Sequence, residues 1–94
     1  MMTVVTLATQ TATGTAASVH IPPLNKFYTP VNTGVVQVTG QGAVQLEGSC
    51  DNLNFQAIAT GVTSTNPKAI VLMPYMRANC TSYTTGDVVT RICF

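Results

Sequence analysis

The chain has 94 residues, 7% of them charged and 46% apolar, with a net charge of +1. That length suits one small domain, and the charge is far below the roughly 25% of an ordinary soluble domain. The four basic residues, Lys26, Lys68, Arg77 and Arg91, are scattered, which gives nucleic-acid binding no basis, and no apolar run approaches the roughly 20 residues of a membrane-spanning helix.

Residues 3–18 are rich in Thr and Ala and carry no charge. Val4 and Thr6 alternate with Val5 and Leu7, which predicts a short strand over 3–9. Gln10 to Ser18 has little to bury. The segment is read as an N-terminal strand, a flexible link or an arm, and residues 3–18 are expected to act as an arm that orders on a neighbouring subunit. The start, Met1-Met2-Thr3-Val4, lacks the basic and apolar regions of a signal peptide, so synthesis in a cytoplasm is expected. Val19-His20-Ile21 is a brief strand signal closed by Pro22-Pro23. With Thr29-Pro30 ahead, 22–33 is expected to be an irregular loop anchored by Leu24, Phe27 and Tyr28.

From residue 34 the alternation becomes regular. Val35 to Thr39 reads as a strand, Gly40-Gln41-Gly42 as a tight turn and Ala43 to Glu47 as the returning strand. Gly48 to Asn54 is dense in turn formers, and Phe55 to Thr60 alternates again. Gly61 and Asn66-Pro67 bracket a loop. Lys68 to Met73 is a strand bounded by Pro74. Tyr75 to Thr81 and Asp87 to Phe94 read as the final hairpin, joined through 82–86. Its expected register pairs Ser82 with Val88, Cys80 with Thr90, Ala78 with Ile92 and Met76 with Phe94. This keeps Arg77 and Arg91 off the core face. No window shows helical spacing. The fold class is therefore all-β, an antiparallel sandwich of jelly-roll type with seven or eight short strands in a single domain.

Cys50, Cys80 and Cys93 make an odd count without a CxxC pair, so neither a disulfide framework nor a zinc site is expected. The hairpin register points Cys80 inward and Cys93 outward, which keeps them apart. His20 is expected on a solvent-facing strand position. The acids are Glu47, Asp51 and Asp87. Asp51 reads as the acceptor of an Asx-turn. A calcium site at Glu47 and Asp51 is the functional alternative, short of the oxygen ligands that such sites gather. Tyr28, Tyr75 and Tyr83 are weighed as a sugar-stacking platform and as core-edge or subunit contacts. No catalytic, cofactor or metal residues are assigned, and the chain is expected not to be an enzyme. So little charge on a small domain predicts association, with itself or with a partner.

Gly48-Ser49-Cys50-Asp51-Asn52-Leu53-Asn54-Phe55, Met76-Arg77-Ala78-Asn79-Cys80-Thr81 and Gly86-Asp87-Val88-Val89-Thr90 resemble motifs of small β-sandwich virion proteins of tailed bacteriophages. The hairpin motif is also similar to one in discoidin-like, jelly-roll carbohydrate-binding domains. The resemblance spans about 35–94 and leaves 1–34 unmatched. Asn52 stands where glycine is common, and Asn is the next best residue for positive φ. Cys50 stands where the pattern has an apolar residue. The resemblance implies a capsid decoration or cement subunit, or a neck or tail component, located in the virion. Its partners would be the major capsid protein or other virion proteins, with homo-oligomers expected. A carbohydrate ligand is the alternative, and the family pattern has no catalytic residues to carry over.

Overall fold

A computed structural model describes residues 3–21, 24–25, 30–31 and 33–94. In chain order the strands are β1 (Val4–Gln10), β2 (Gly14–Thr15), β3 (Val19–His20), β4 (Leu24–Asn25), β5 (Pro30–Val31), β6 (Thr33–Ser49), β7 (Gln56–Val62), β8 (Lys68–Val71) and β9 (Tyr75–Cys93). The chain is all-β and antiparallel, as its alternation predicts, and the described residues include no helix. Among the described residues, strands β4 and β5 pair with each other alone. The segment expected as an irregular loop over 22–33 thus contains a short strand pair, and its expected anchors Phe27 and Tyr28, with the side chain of Leu24, lie outside what the structure describes.

The two long strands, β6 and β9, organise everything else. They pair antiparallel from Val35↔Cys93 to Ser49↔Tyr75. At about 3.3 Å per residue a straight β9 would run roughly 60 Å, yet the molecule's longest axis is 44 Å. Both strands therefore bend, and the ladder shifts register where they do, between Thr39 and Val44 of β6. One half of the ladder carries β1 on β9 and β8 on β6. The other half carries β2 and β3 on β9 and β7 on β6. The bend brings the two halves face to face in a sandwich-like arrangement.

Two sequence expectations change here. Gly40-Gln41-Gly42 is not a hairpin turn, and 82–86 does not close a final hairpin. Each lies inside a continuous strand, and Cys80 pairs with Val44 instead of Thr90. The physical reason is that glycine at positive φ serves a bulge as well as a turn. Gly40, at φ +104°, performs that service at the bend. Within residues 3–18, Val4–Gln10 and Gly14–Thr15 form strands. Strands β1 and β2 join the domain's own sheet, and Leu7 is buried.

The inner face follows the even positions of both long strands. Val36, Val38, Val44 and Leu46 from β6 meet Met76, Ala78, Cys80, Val88 and Ile92 from β9. Leu7, Ile21, Ala59, Val62 and Ile70 complete this core. A bulge between Thr6 and Ala8 turns the successive side chains of Leu7 and Ala8 towards it.

Thr90 breaks the pattern. Its side chain is fully buried, and its hydroxyl has no hydrogen-bond partner among the described residues. A buried hydroxyl without a partner costs about 1–3 kcal/mol. Thr90→Val keeps the branched shape and removes that cost. It should raise stability by about 1 kcal/mol in denaturant titration. A loss of stability would mean that the hydroxyl is satisfied in solution.

Candidate functional site

The bent sheet presents two outer faces of unlike chemistry. The first covers the half built from β2, β3, β7 and the facing parts of β6 and β9. Here Gln45 and Glu47 on β6 stand opposite Asn79 and Arg77 on β9. Arg77 Nε donates to Glu47 Oε1 at 2.6 Å. Gln45 Nε2 donates to Glu47 Oε2 at 2.8 Å, and Asn79 Nδ2 donates to the same oxygen at 3.4 Å. The Arg77 guanidinium lies 3.9 Å from the centre of the Phe55 ring. Burial raises the Glu47 pKa, but hydrogen bonds from Arg77, Gln45 and Asn79, with the charge of Arg77, outweigh it. The net result is a carboxylate held below its usual range. Beside this network His20 pairs with Tyr75, their ring centres 5.0 Å apart. His20 is exposed, as expected of a strand residue facing solvent.

The turn after β6 is fixed by its own side chains. The N–H groups of Leu53 and Asn54 donate to Asp51 Oδ1, each at 2.9 Å. Ser49 Oγ donates to the same oxygen, and Asn54 Nδ2 donates to Asp51 Oδ2. These donors hold the Asp51 carboxyl well below the usual carboxylate range, the backbone bonds from Asn54 and Leu53 contributing most. Asn52 sits at φ +61°, the left-handed conformation expected of it. Ser18 Oγ donates to Asn52 Oδ1 at 2.6 Å, tying the turn to the N-terminal segment. Leu53 projects from the tip, 83% exposed.

This geometry weighs against calcium at Glu47 and Asp51. Asp51 is engaged by N–H and O–H donors, and Glu47 is paired with Arg77, so the two carboxylates serve different structures. Among the described residues, no three His, Cys, Asp or Glu side chains gather as a metal site. Of the tyrosines, Tyr75 lies against His20 with the rings tilted by 37°, and Tyr83 packs on the core with its hydroxyl donating to Gly86 O at 2.8 Å. They do not form a shared platform, and Tyr28 lies outside the described residues. The three cysteines are free: Cys50 exposed, Cys80 buried and Cys93 half-buried.

The second outer face covers the half built from β1, β8 and the remaining parts of β6 and β9. One cross-strand row runs Val4, Cys93, Val35, Ala69, in register over four strands. Val71 lies two residues from Ala69 on the same face. Val4 is 59% exposed, Val71 57% and Val35 37%. The next row is polar: Thr6, Arg91 and Gln37. Sequence reading did not single out this surface, although the signal was present. Val35, Val71 and Cys93 occupy the odd positions of strands whose even positions are core, and Val4 is an even position of a strand whose Val5 and Leu7 face inward.

No family model, characterised protein or solved structure matches the chain. No helix of the described residues is long and apolar enough to cross a membrane.

Proposed function

We propose that this chain is a structural subunit that works through protein–protein contacts, as a capsid decoration or cement subunit in the virion of a tailed bacteriophage. The observation that carries the contact function is the solvent-facing apolar row Val4, Cys93, Val35, Ala69 with Val71 beside it. Exposed apolar side chains are ordinary singly, but a row in register over four strands is suited to a protein surface. The rigid turn that carries Leu53 offers a second anchor of the same kind. The virion setting rests on the resemblance of residues 48–55, 76–81 and 86–90. The reading includes no catalysis: His20 lies against Tyr75, and Glu47 and Asp51 are committed to structural bonds. The partner would be the major capsid protein or another virion protein, with a neck or tail position as the variant of the same reading.

A carbohydrate-binding role is the second reading. It is favoured by the polar face where Gln45, Asn79 and the Glu47–Arg77 pair adjoin the tilted His20–Tyr75 ring pair. Aromatic faces beside fixed donors and acceptors suit sugar hydroxyls.

Two measurements separate the readings. The structural reading expects the tagged chain to sediment with intact particles in a fixed copy number. Val35→Lys and Val71→Glu should each weaken that association while leaving the melting temperature unchanged. Strong selective binding on a glycan array, with no particle association, would replace the structural reading with the carbohydrate one.

A further inference from the structure

The two edges of the bent sheet are built differently. Strand β8 is preceded by Asn66-Pro67 and begins at Lys68, whose Nζ donates to Thr60 O at 2.7 Å. Proline and lysine are the residues that keep an edge from pairing with another chain. Strand β1 has neither, and no charge occurs anywhere in residues 3–19. Among the described residues, its ladder is with β9 alone.

The hydrogen-bond phase of that ladder shows which backbone groups are open. Thr3 and Phe94 exchange both N–H to C=O bonds. In an antiparallel ladder such pairs alternate with pairs that make none. Val4↔Cys93 is therefore a non-bonded pair, Val5↔Ile92 a bonded one, and Thr6↔Arg91 non-bonded again. The N–H and C=O groups of Val4 and Thr6 point away from β9, along the free edge. The bulge between Thr6 and Ala8 ends this regular run at Leu7.

From this edge we infer that the chain pairs with a second copy of itself, β1 against β1 about a twofold axis at Val5. This deepens the structural reading by naming the first partner. An antiparallel pairing about Val5 places Val4 opposite Thr6 of the copy, so both sets of open groups bond reciprocally. Val5 meets its counterpart on the inner face, where it already packs against the core. Val4 comes beside the copy's Thr6 on the outer face, so each apolar row meets the copy's polar row of Thr6, Arg91 and Gln37 across the junction. A neutral edge does not repel itself, and a net charge of +1 adds little long-range repulsion. The bulge limits the pairing to residues 3–7. That is less than a standard interface of about 1,600 Å² provides, so the dimer should dissociate on dilution.

Sedimentation of the full chain over a wide concentration range tests this together with amide exchange on the same samples. The mass should double from the 9.9 kDa of one chain as concentration rises. The Val4 and Thr6 amides, free in the monomer, should become protected in step. Val4→Pro removes an outward N–H and leaves the ladder to β9 intact, and Thr6→Lys adds the charge that the edge lacks. Both variants should remain monomeric with an unchanged melt at low concentration. If either fails to fold, amide exchange of the wild-type chain decides the matter. A mass that never rises, or a dimer whose Val4 and Thr6 amides still exchange freely, overturns the pairing. A monomer that nevertheless sediments with particles overturns the pairing alone. A dimer that ignores particles overturns the virion role alone.

Discussion

Gly40→Ala should cost about 4 kcal/mol or leave the domain unfolded, an effect in the far tail of single substitutions. Two penalties coincide at this residue. Its φ of +104° is one that a side chain rarely adopts, which alone costs about 1–2 kcal/mol. A Cβ there would also fall on the backbone carbonyl of Asp87, far inside the 3.0 Å that real Cβ atoms keep. That carbonyl belongs to β9 at the bend and has no side-chain freedom with which to yield. Relief requires opening the bend, and the bend is what brings the two halves of the core together. Gly86→Ala isolates the first penalty: its φ is +73°, with no atom within 4 Å of the added carbon. It should cost about 1 kcal/mol. Denaturant titration of the two variants measures the difference. Equal costs would mean that the bend tolerates movement and that the long strands act as separate hinged segments.

The same glycines explain how far the sequence could be read. Alternation reports which face a residue occupies, and it did so correctly for Met76, Ala78, Cys80, Val88 and Ile92. It does not report the partner strand. A five-residue hairpin loop and an uninterrupted strand give residues 75–81 and 87–94 the same inward and outward parity, so the two are indistinguishable in the pattern. Local chemistry was legible in detail. Asp51 accepting from the next residues' N–H groups and Asn52 at positive φ follow from neighbours within a few positions. The Glu47–Arg77 pair was not legible, because its members stand 30 residues apart in the chain. Only the β6–β9 register places them opposite each other. Phe55 over Arg77 depends further on the path of the Ser49–Asn54 turn. The exposed row from Val4 to Ala69 needed the order of four strands before its members could be seen as neighbours.

Arg77→Leu should be the most damaging substitution on the outer surface. The Glu47 side chain is only 11% exposed, while that of Arg77 is 32% exposed. Removing the cation leaves a nearly buried carboxylate with only Gln45 and Asn79 as donors. Breaking a fully buried pair costs about 3–5 kcal/mol, and partial exposure of Arg77 reduces this to about 2 kcal/mol. Glu47→Gln should cost less, because a neutral amide needs no counter-charge. In the double variant, Arg77→Leu should cost less than it does alone, and that non-additivity is the interaction itself. The pH dependence follows from the direction of the shift. The carboxyl of Glu47 titrates lower in the folded chain than in the unfolded one, so its contribution is complete above the unfolded value of about 4.3. It is lost as pH falls through the folded value. Wild-type stability should decline in acid below about pH 4, and Glu47→Gln should flatten that decline. Asp51 is lowered in the same direction and will account for part of the remaining slope. Urea titrations at pH 7 and pH 3 for the wild type, each single variant and the double variant provide the comparison. Additive costs with an unchanged acid slope would show that Arg77 stabilises this face through its stacking on Phe55 instead of through its charge.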